Sequence, residues 1–229
     1  MLRVRSASIY NLTHAILGMR NSWGSWDRSD STLTDTDNYY HWSSEAPVWQ
    51  TTTNGPISGS LGTKDLQLAL QLRKAGPDHA KWARFVLVGM DLEATGDWWN
   101  HFDQYRVGAD AITNSTSRMH TLGREPITTD LFGFDTPDDE RVQRYVGIVE
   151  EVRQAWIASG RRRPSPEWRL MNQITAYAWT YRRETILNYQ VLSSIYHARK
   201  HHRLDEWGQF CDFIAEMPCA ELITLGGME

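Results

Sequence analysis

Cysteine is scarce: the 229 residues hold two, Cys211 and Cys219. Two thiols give neither a disulfide framework nor a zinc-ligand spacing, and a reducing, cytoplasmic setting is the expectation. Long apolar runs are missing too. No stretch approaches the roughly 20 apolar residues that a bilayer-crossing helix needs. Met1 to Leu17 lacks the apolar core and small-residue cleavage pattern of an export signal, so a soluble chain with no membrane partner is expected. There is no glycine-rich dinucleotide fingerprint and no repeat of fixed period. Nor is there a basic excess. The formal charge of −4 argues against a nucleic-acid polymer as partner.

What is present is an ordinary globular composition, 41% hydrophobic and 23% charged, with eleven tryptophans as its unusual feature. The length suits one domain spanning 1–229. Local cationic clusters stand out in this mildly acidic chain: Arg161 to Arg163, Arg182–Arg183, and Arg199 to Arg203. Such clusters fit a small anionic ligand better than a polymer. The polar stretch Ser22 to Gly62 reads as a long loop. Its aromatics (Trp23, Trp26, Tyr39, Tyr40, Trp42, Trp49) say that it packs on something.

Periodicity predicts a helix-rich α/β (α+β) chain with a small central sheet. A short strand or helix opens the chain. Thr63 caps a helix running to about Ala75, stopped by Gly76-Pro77. From Arg84 to Glu93, Val86, Val88, Met90 and Leu92 alternate with their neighbours as in a strand. Thr95 caps a helix over Asp97 to Val107, and the polar segment Gly108 to Thr121 reads as a ligand-facing loop. Thr136-Pro137-Asp138-Asp139 starts a helix that runs to Gly160. After a break at Arg161 to Pro166, helices are predicted from Glu184 to Arg199 and from Asp205 to Met217.

Three segments carry chemistry: His79 ahead of the strand, Ala94 to His120, and Asn188 with Arg199. Each alone has a plain explanation. A histidine before a strand is more often a structural hydrogen-bonder, and a basic helix face is usually just solvated. Their combination resembles the flavin-dependent thymidylate synthases. In that family a histidine before a strand touches the flavin, and a small residue then opens a helix ending in Arg-His-Arg. Here His79 precedes Ala94 by fifteen residues and Arg106 follows it by twelve; Asn188 and Arg199 keep the family's spacing of eleven. The Trp-Trp-x-x-Phe-Asp-x-Tyr stretch at Trp98 to Tyr105 is similar to divergent phage and bacterial relatives. The likeness covers about Lys64 to Trp207, with Gln104 and Tyr105 standing where the motif has Arg and His.

The resemblance implies a flavin-dependent thymidylate synthase-like fold, assembled as a homotetramer because the family's sites form between subunits. It implies FAD and methylenetetrahydrofolate as cofactors, and a pyrimidine deoxynucleotide such as dUMP as substrate. The implied reaction is one-carbon transfer, methylation or hydroxymethylation, to C5 of the base. The implied catalytic residues are Arg106, Gln104 and His101. His79, Tyr105, Asn188 and Ser194 would face the flavin. Arg106, Ser115, Ser117, Arg118, Arg169 and Arg199 would face the nucleotide. The alternative is a catalytically altered nucleotide-binding protein of the same fold, which the loss of the motif arginine at Gln104 favours.

Residue chemistry agrees with this assignment. Arginine forks match a phosphate bidentately, and hydroxyls complete its shell. A flavin ring needs flat apolar walls, which Trp98, Trp99 and Tyr105 offer beside His79 and Asn188. A third reading, a metal site at His197 and His201 with Asp205 and Glu206, is disfavoured by the cations from Arg199 to Arg203, and no metal is expected.

Overall fold

The computed structural model describes residues 1–32, 40–51, 61–105, 107–114, 118–175 and 177–225. The elements in chain order are β1 (Arg3–Tyr10), α1 (Leu12–Gly18), β2 (Tyr40–Ser43), β3 (Ala46–Thr51), α2 (Thr63–Lys74), β4 (Leu87–Thr95), α3 (Gly96–Phe102), β5 (Asp110–Asn114), α4 (Arg118–Thr121), α5 (Glu140–Ala158), α6 (Pro166–Ile174), β6 (Thr180–Asn188), α7 (Tyr189–Arg199), α8 (Asp205–Ala215) and α9 (Glu221–Thr224). The strands form one six-stranded sheet in the order β3-β2-β1-β4-β6-β5. β1 pairs antiparallel with β2, Ala7 opposite Trp42, and β2 pairs antiparallel with β3. The mixture of helices with a small sheet is the expected α/β (α+β) class.

The backbone clusters into two compact units, each threaded from three stretches of chain. The first, named here for α5, comprises Met1–Arg3, Leu92–Gln104 and Ile112–Arg183. The second, named for α7, comprises Val4–Asp91, Tyr105–Ala111 and Glu184–Glu229.

In the α5 unit, α5 and α6 enclose Leu122, Ile127, Phe132, Val146, Val149, Trp156, Met171 and Trp179. The Trp156 indole donates to the Arg162 carbonyl at 2.9 Å, so a fully buried ring keeps its polar edge satisfied. α3 is capped as predicted: the Thr95 hydroxyl accepts from the Trp98 amide at 3.3 Å. α5 is capped one turn later than predicted. Asp139, not Thr136, accepts from the Arg141 amide at 2.8 Å, and it also holds the Arg141 guanidinium.

The α7 unit is cored by Ile9, Ile16, Val88, Met90, Leu192, Ile195, Trp207, Phe210 and Ile214. α2 begins at Thr63, but the cap comes from afar. The Asp30 carboxylate accepts from the amides of Lys64 and Asp65, at 2.9 and 3.2 Å. Below it lies a buried knot. Asp65, fully enclosed, takes the Arg20 Nε at 2.6 Å and the hydroxyls of Ser29 and Ser31, both at 2.5 Å. Burial pushes the Asp65 carboxyl upward, but the two hydroxyls and Arg20 outweigh it and hold the carboxyl below its ordinary range.

Several predicted elements are corrected. Ser22 to Gly62 is not all loop: β2 and β3 lie within it, and Trp42 and Trp49 pack on Phe213. β4 starts at Leu87, because Lys81–Arg84 form a tight 3-10 turn. The helix after Thr95 stops at Phe102, with a 3-10 turn over Asp103–Tyr105. Gly108 to Thr121 contains β5 and α4. The largest error is at Glu184: the chain there is strand, not helix, with Thr185 and Leu187 buried while Glu184 and Ile186 face out. A period of two places one face on the core, whereas the predicted helix followed the 3.6-residue pattern that belongs only to the following segment.

Candidate functional site

α7 begins abruptly because Asn188, the last residue of β6, turns its Oδ1 back to accept from the Val191 amide at 3.0 Å. At the other end stands Arg199, eleven residues on, about 16 Å away at a rise of 1.5 Å per residue. Tyr105 and Gly108 each touch one end. Gly108 presses on Asn188 and Val191 so closely that an added Cβ would sit 2.8 Å from Val191 Cγ2 and 3.1 Å from Asn188 Nδ2. Its φ of +86° independently favours glycine. Tyr105 reaches Arg199, whose Nε donates to the phenol oxygen at 2.8 Å. The Arg199 guanidinium lies 5.5 Å from the Tyr105 ring centroid and 5.0 Å from that of Trp207. The two rings meet at 65° with centroids 6.0 Å apart, so the cation occupies an aromatic notch.

His79 is exposed on a cleft of about 930 Å³ in the same unit. Its walls come from 11–28 and 68–85 and include His14, Trp23, Arg28, Lys81 and Phe85. Trp23 and Phe85 are 89% and 62% exposed, which offers flat apolar faces beside imidazole and cationic edges. Asn188 is not among the described residues lining that cleft.

The structure brings some predicted residues together and separates others. Tyr105, Asn188 and Arg199 gather along α7. Ser194 is exposed on the same helix, its hydroxyl spent on the Gln190 carbonyl at 3.1 Å. Gln104, exposed, and His101, half-buried, belong to the α5 unit, as does Arg169, exposed on α6. Arg118 opens α4. Arg106, Ser115 and Ser117 lie outside the described residues, so a three-arginine convergence of Arg106, Arg118 and Arg199 is not described. Trp98 and Trp99 are corrected: at 1% and 0% exposure they are core, not cofactor walls. They pack on each other at 4.9 Å, and the Trp99 indole donates to the Tyr181 carbonyl. Among the described residues no group of three His, Cys, Asp or Glu side chains is placed to hold a metal.

Sequence reasoning missed Trp207, Gly108 and the cleft wall from 11 to 28. Gly108 left a usable signal, a glycine between an apolar residue and the start of a strand. Trp207 left none, because its distance from Arg199 in sequence follows no fixed period across a turn.

No described helix is long and apolar enough to cross a membrane. No protein-family model matches the chain, and no curated protein matches it. Solved structures do. Thymidylate synthase X (ThyX) from Helicobacter pylori, with FAD and dUMP, superimposes with a TM-score of 0.64 at 13% identity, over 97% of this chain and 98% of that one. A second structure of that enzyme, complexed with FAD and dUMP, gives 0.59 at 14% identity over 94% and 95%. The UMP/dUMP methylase PolB from Streptomyces cacaoi, bound with 5-Br dUMP, gives 0.59 at 13% identity over 98% and 95%. Near-complete coverage of both partners leaves no large segment unaccounted for, and the chain has the fold of the flavin-dependent thymidylate synthases.

Proposed function

We propose that this protein transfers a one-carbon unit to C5 of a pyrimidine deoxynucleotide such as dUMP, using FAD and methylenetetrahydrofolate. One observation carries the reading: Gly108 packs on Asn188 at the start of α7, and Tyr105 bonds Arg199 at its end. The residues that the family resemblance implies for the phosphate, Arg106, Ser115, Ser117, Arg118, Arg169 and Arg199, would take it by charge-assisted forks. Each such bond contributes about 1.5–3 kcal/mol, so two or three support micromolar binding after association costs. That the neighbouring structures carry dUMP or its bromo analogue supports the substrate class.

The flavin fits the donor set available. The cleft at His79 presents exposed faces of Trp23 and Phe85 for a planar ring, with imidazole and lysine at its edge. Asn188 and Ser194 would meet the flavin from α7, and in the proposed homotetramer they would belong to a different protomer from the His79 cleft. When bound, reduced flavin supplies hydride and the folate supplies the carbon unit. The chain's own task is to orient the base and stabilise negative charge developing on its carbonyls, with His101, Gln104 and Arg106 as the groups for it. Gln104 replaces a full charge by an amide dipole. Hydroxymethylation, in which water takes the place of hydride, therefore stands beside methylation.

The purified protein should be yellow, and incubation with methylenetetrahydrofolate, reductant and dUMP or dCMP should yield a C5-substituted nucleotide by mass spectrometry. A colourless protein that binds dUMP without turning it over fits the second reading, an altered nucleotide binder. That reading is favoured by the engagement of Tyr105, at the motif's histidine position, with Arg199.

A further inference from the structure

We propose that Arg73, near the end of α2, centres a second site, for a phosphate-like oxyanion, on the face of α7 opposite Arg199. Gln190, which Arg73 meets, stands about two and a half turns before Arg199 on that helix, so the two faces point away from each other. Asp65, Ala69 and Arg73 form the buried stripe of α2. At its start Asp65 meets Arg20. At its end Arg73, 9% exposed, donates from Nη1 to the Gln190 amide oxygen at 2.9 Å. That partner is neutral. Burial lowers the Arg73 pKa, and among the described residues no carboxylate opposes it. An enclosed guanidinium without a counter-charge is costly, and a bound oxyanion supplies the missing charge.

The neighbours of Arg73 suit such a ligand. Gln190 has committed its oxygen, which leaves its amide N–H groups to donate. Ser194 and His197 follow on the same face of α7, and Ser194 is exposed, so the row opens to solvent. A tetrahedral oxyanion offers acceptors to the arginine fork and the amide together. His197 registers the local charge. Its Nε2 is enclosed without a hydrogen-bond partner. Burial first, then the charges of Lys200 and Arg73, hold the ring below its ordinary value of 6.5, against the pull of the Ile223 carbonyl. Other titratable groups stand on elements packed against α7: Lys81 and Arg84 before β4, Asp205, Glu206, Cys211 and Asp212 on α8, and Glu221 on α9. The two cations, rather than any of these, depress the ring. An oxyanion on Arg73 cancels part of that field, so His197 keeps its proton to higher pH.

The experiment follows the His197 ring by NMR, its signal identified by its absence from His197→Gln, while inorganic phosphate replaces chloride at constant ionic strength. Wild type, Arg199→Ala and Arg73→Met are compared. Phosphate should raise the His197 midpoint in wild type and in Arg199→Ala. Arg73→Met should raise it without phosphate and abolish any further rise. Calorimetry of Arg199→Ala should show phosphate binding, weakened about tenfold by adding Arg73→Met, the scale of one charge-assisted hydrogen bond. A midpoint that phosphate leaves unmoved in wild type overturns the site, as does an equal rise in Arg73→Met. A rise confined to wild type puts the anion on Arg199 and also overturns it. Should Arg73→Met not fold, anomalous diffraction from selenate-soaked wild-type crystals decides: selenium at the Arg73 guanidinium supports the site, and selenium only elsewhere overturns it. Two further arms in Arg199→Ala identify the source of the oxyanion. A rise with dUMP but not deoxyuridine makes it a nucleotide phosphate, silence from both makes it the free ion, and a rise with both overturns the oxyanion assignment.

Discussion

Two arginines of the α7 unit are held in opposite ways. Arg20, 6% exposed, is met by the carboxylate of Asp65, which is itself fully enclosed and bonded by Ser29 and Ser31. Arg199, half-buried, is held by a neutral hydroxyl and two ring faces. The first arrangement consumes the charge to tie residues 20–31 onto α2. The second sets a phenol oxygen and two aromatic faces against the cation. The two holders differ in chemistry as well as in burial.

The sharpest way to break the contrast is to remove both cations. Arg20→Ala should cost about 3–5 kcal/mol, because it leaves Asp65 charged and enclosed; urea unfolding measures this. Acid titration adds a sign. The Asp65 carboxyl is held below its ordinary value of 3.8, so its contribution is present above that pH and fades as pH falls through the lower folded value. Arg199→Ala should show the reverse signature, with stability within about 1 kcal/mol of wild type and dUMP affinity reduced at least tenfold.

A smaller effect is expected at Gly108. Alanine there takes on a left-handed backbone and a 2.8 Å approach to Val191, a cost of about 1–2 kcal/mol. It should also weaken dUMP severalfold by lifting the Tyr105 segment from α7. Preserved affinity with lost stability would detach the turn from the site. Smallest is the thiol response. Burial drives Cys211 and Cys219 up to about 11, so alkylation at pH 8 should run about two orders of magnitude slower than for a free thiol. Both lie in the α7 unit, and faster labelling of Arg199→Ala would show that its fold, not its charge, had changed.

Local rules with near neighbours were legible in the sequence. The Thr95 cap, the body of β4 and the helices at Thr63 and Asp205 follow from residues within a turn of each other. Long-range partners were not. Asp30 caps α2 from more than thirty residues away, β2 and β3 are specified by pairing with β1, and Glu184 to Asn188 becomes strand because the sheet accepts it. The site divides on the same line. The spacing of Asn188 and Arg199 was readable because one helix carries it. Trp207 under Arg199 was not, and neither was the cleft wall around Trp23. The tryptophan pair at 98–99 misled, because exposed stacking surface and core have the same composition.

The threading of the two units has a consequence for how the protein is made. The α5 unit needs chain up to Arg183, and the α7 unit combines Val4–Asp91 with the final stretch from Glu184. A nascent chain leaving the ribosome holds the parts of both units for most of synthesis and can finish neither early. α7, which bears Arg199, emerges only after β6. A ribosome stalled before Thr180 would leave the edge of β4 without β6, a form prone to aggregation and exposed to chaperones and proteases.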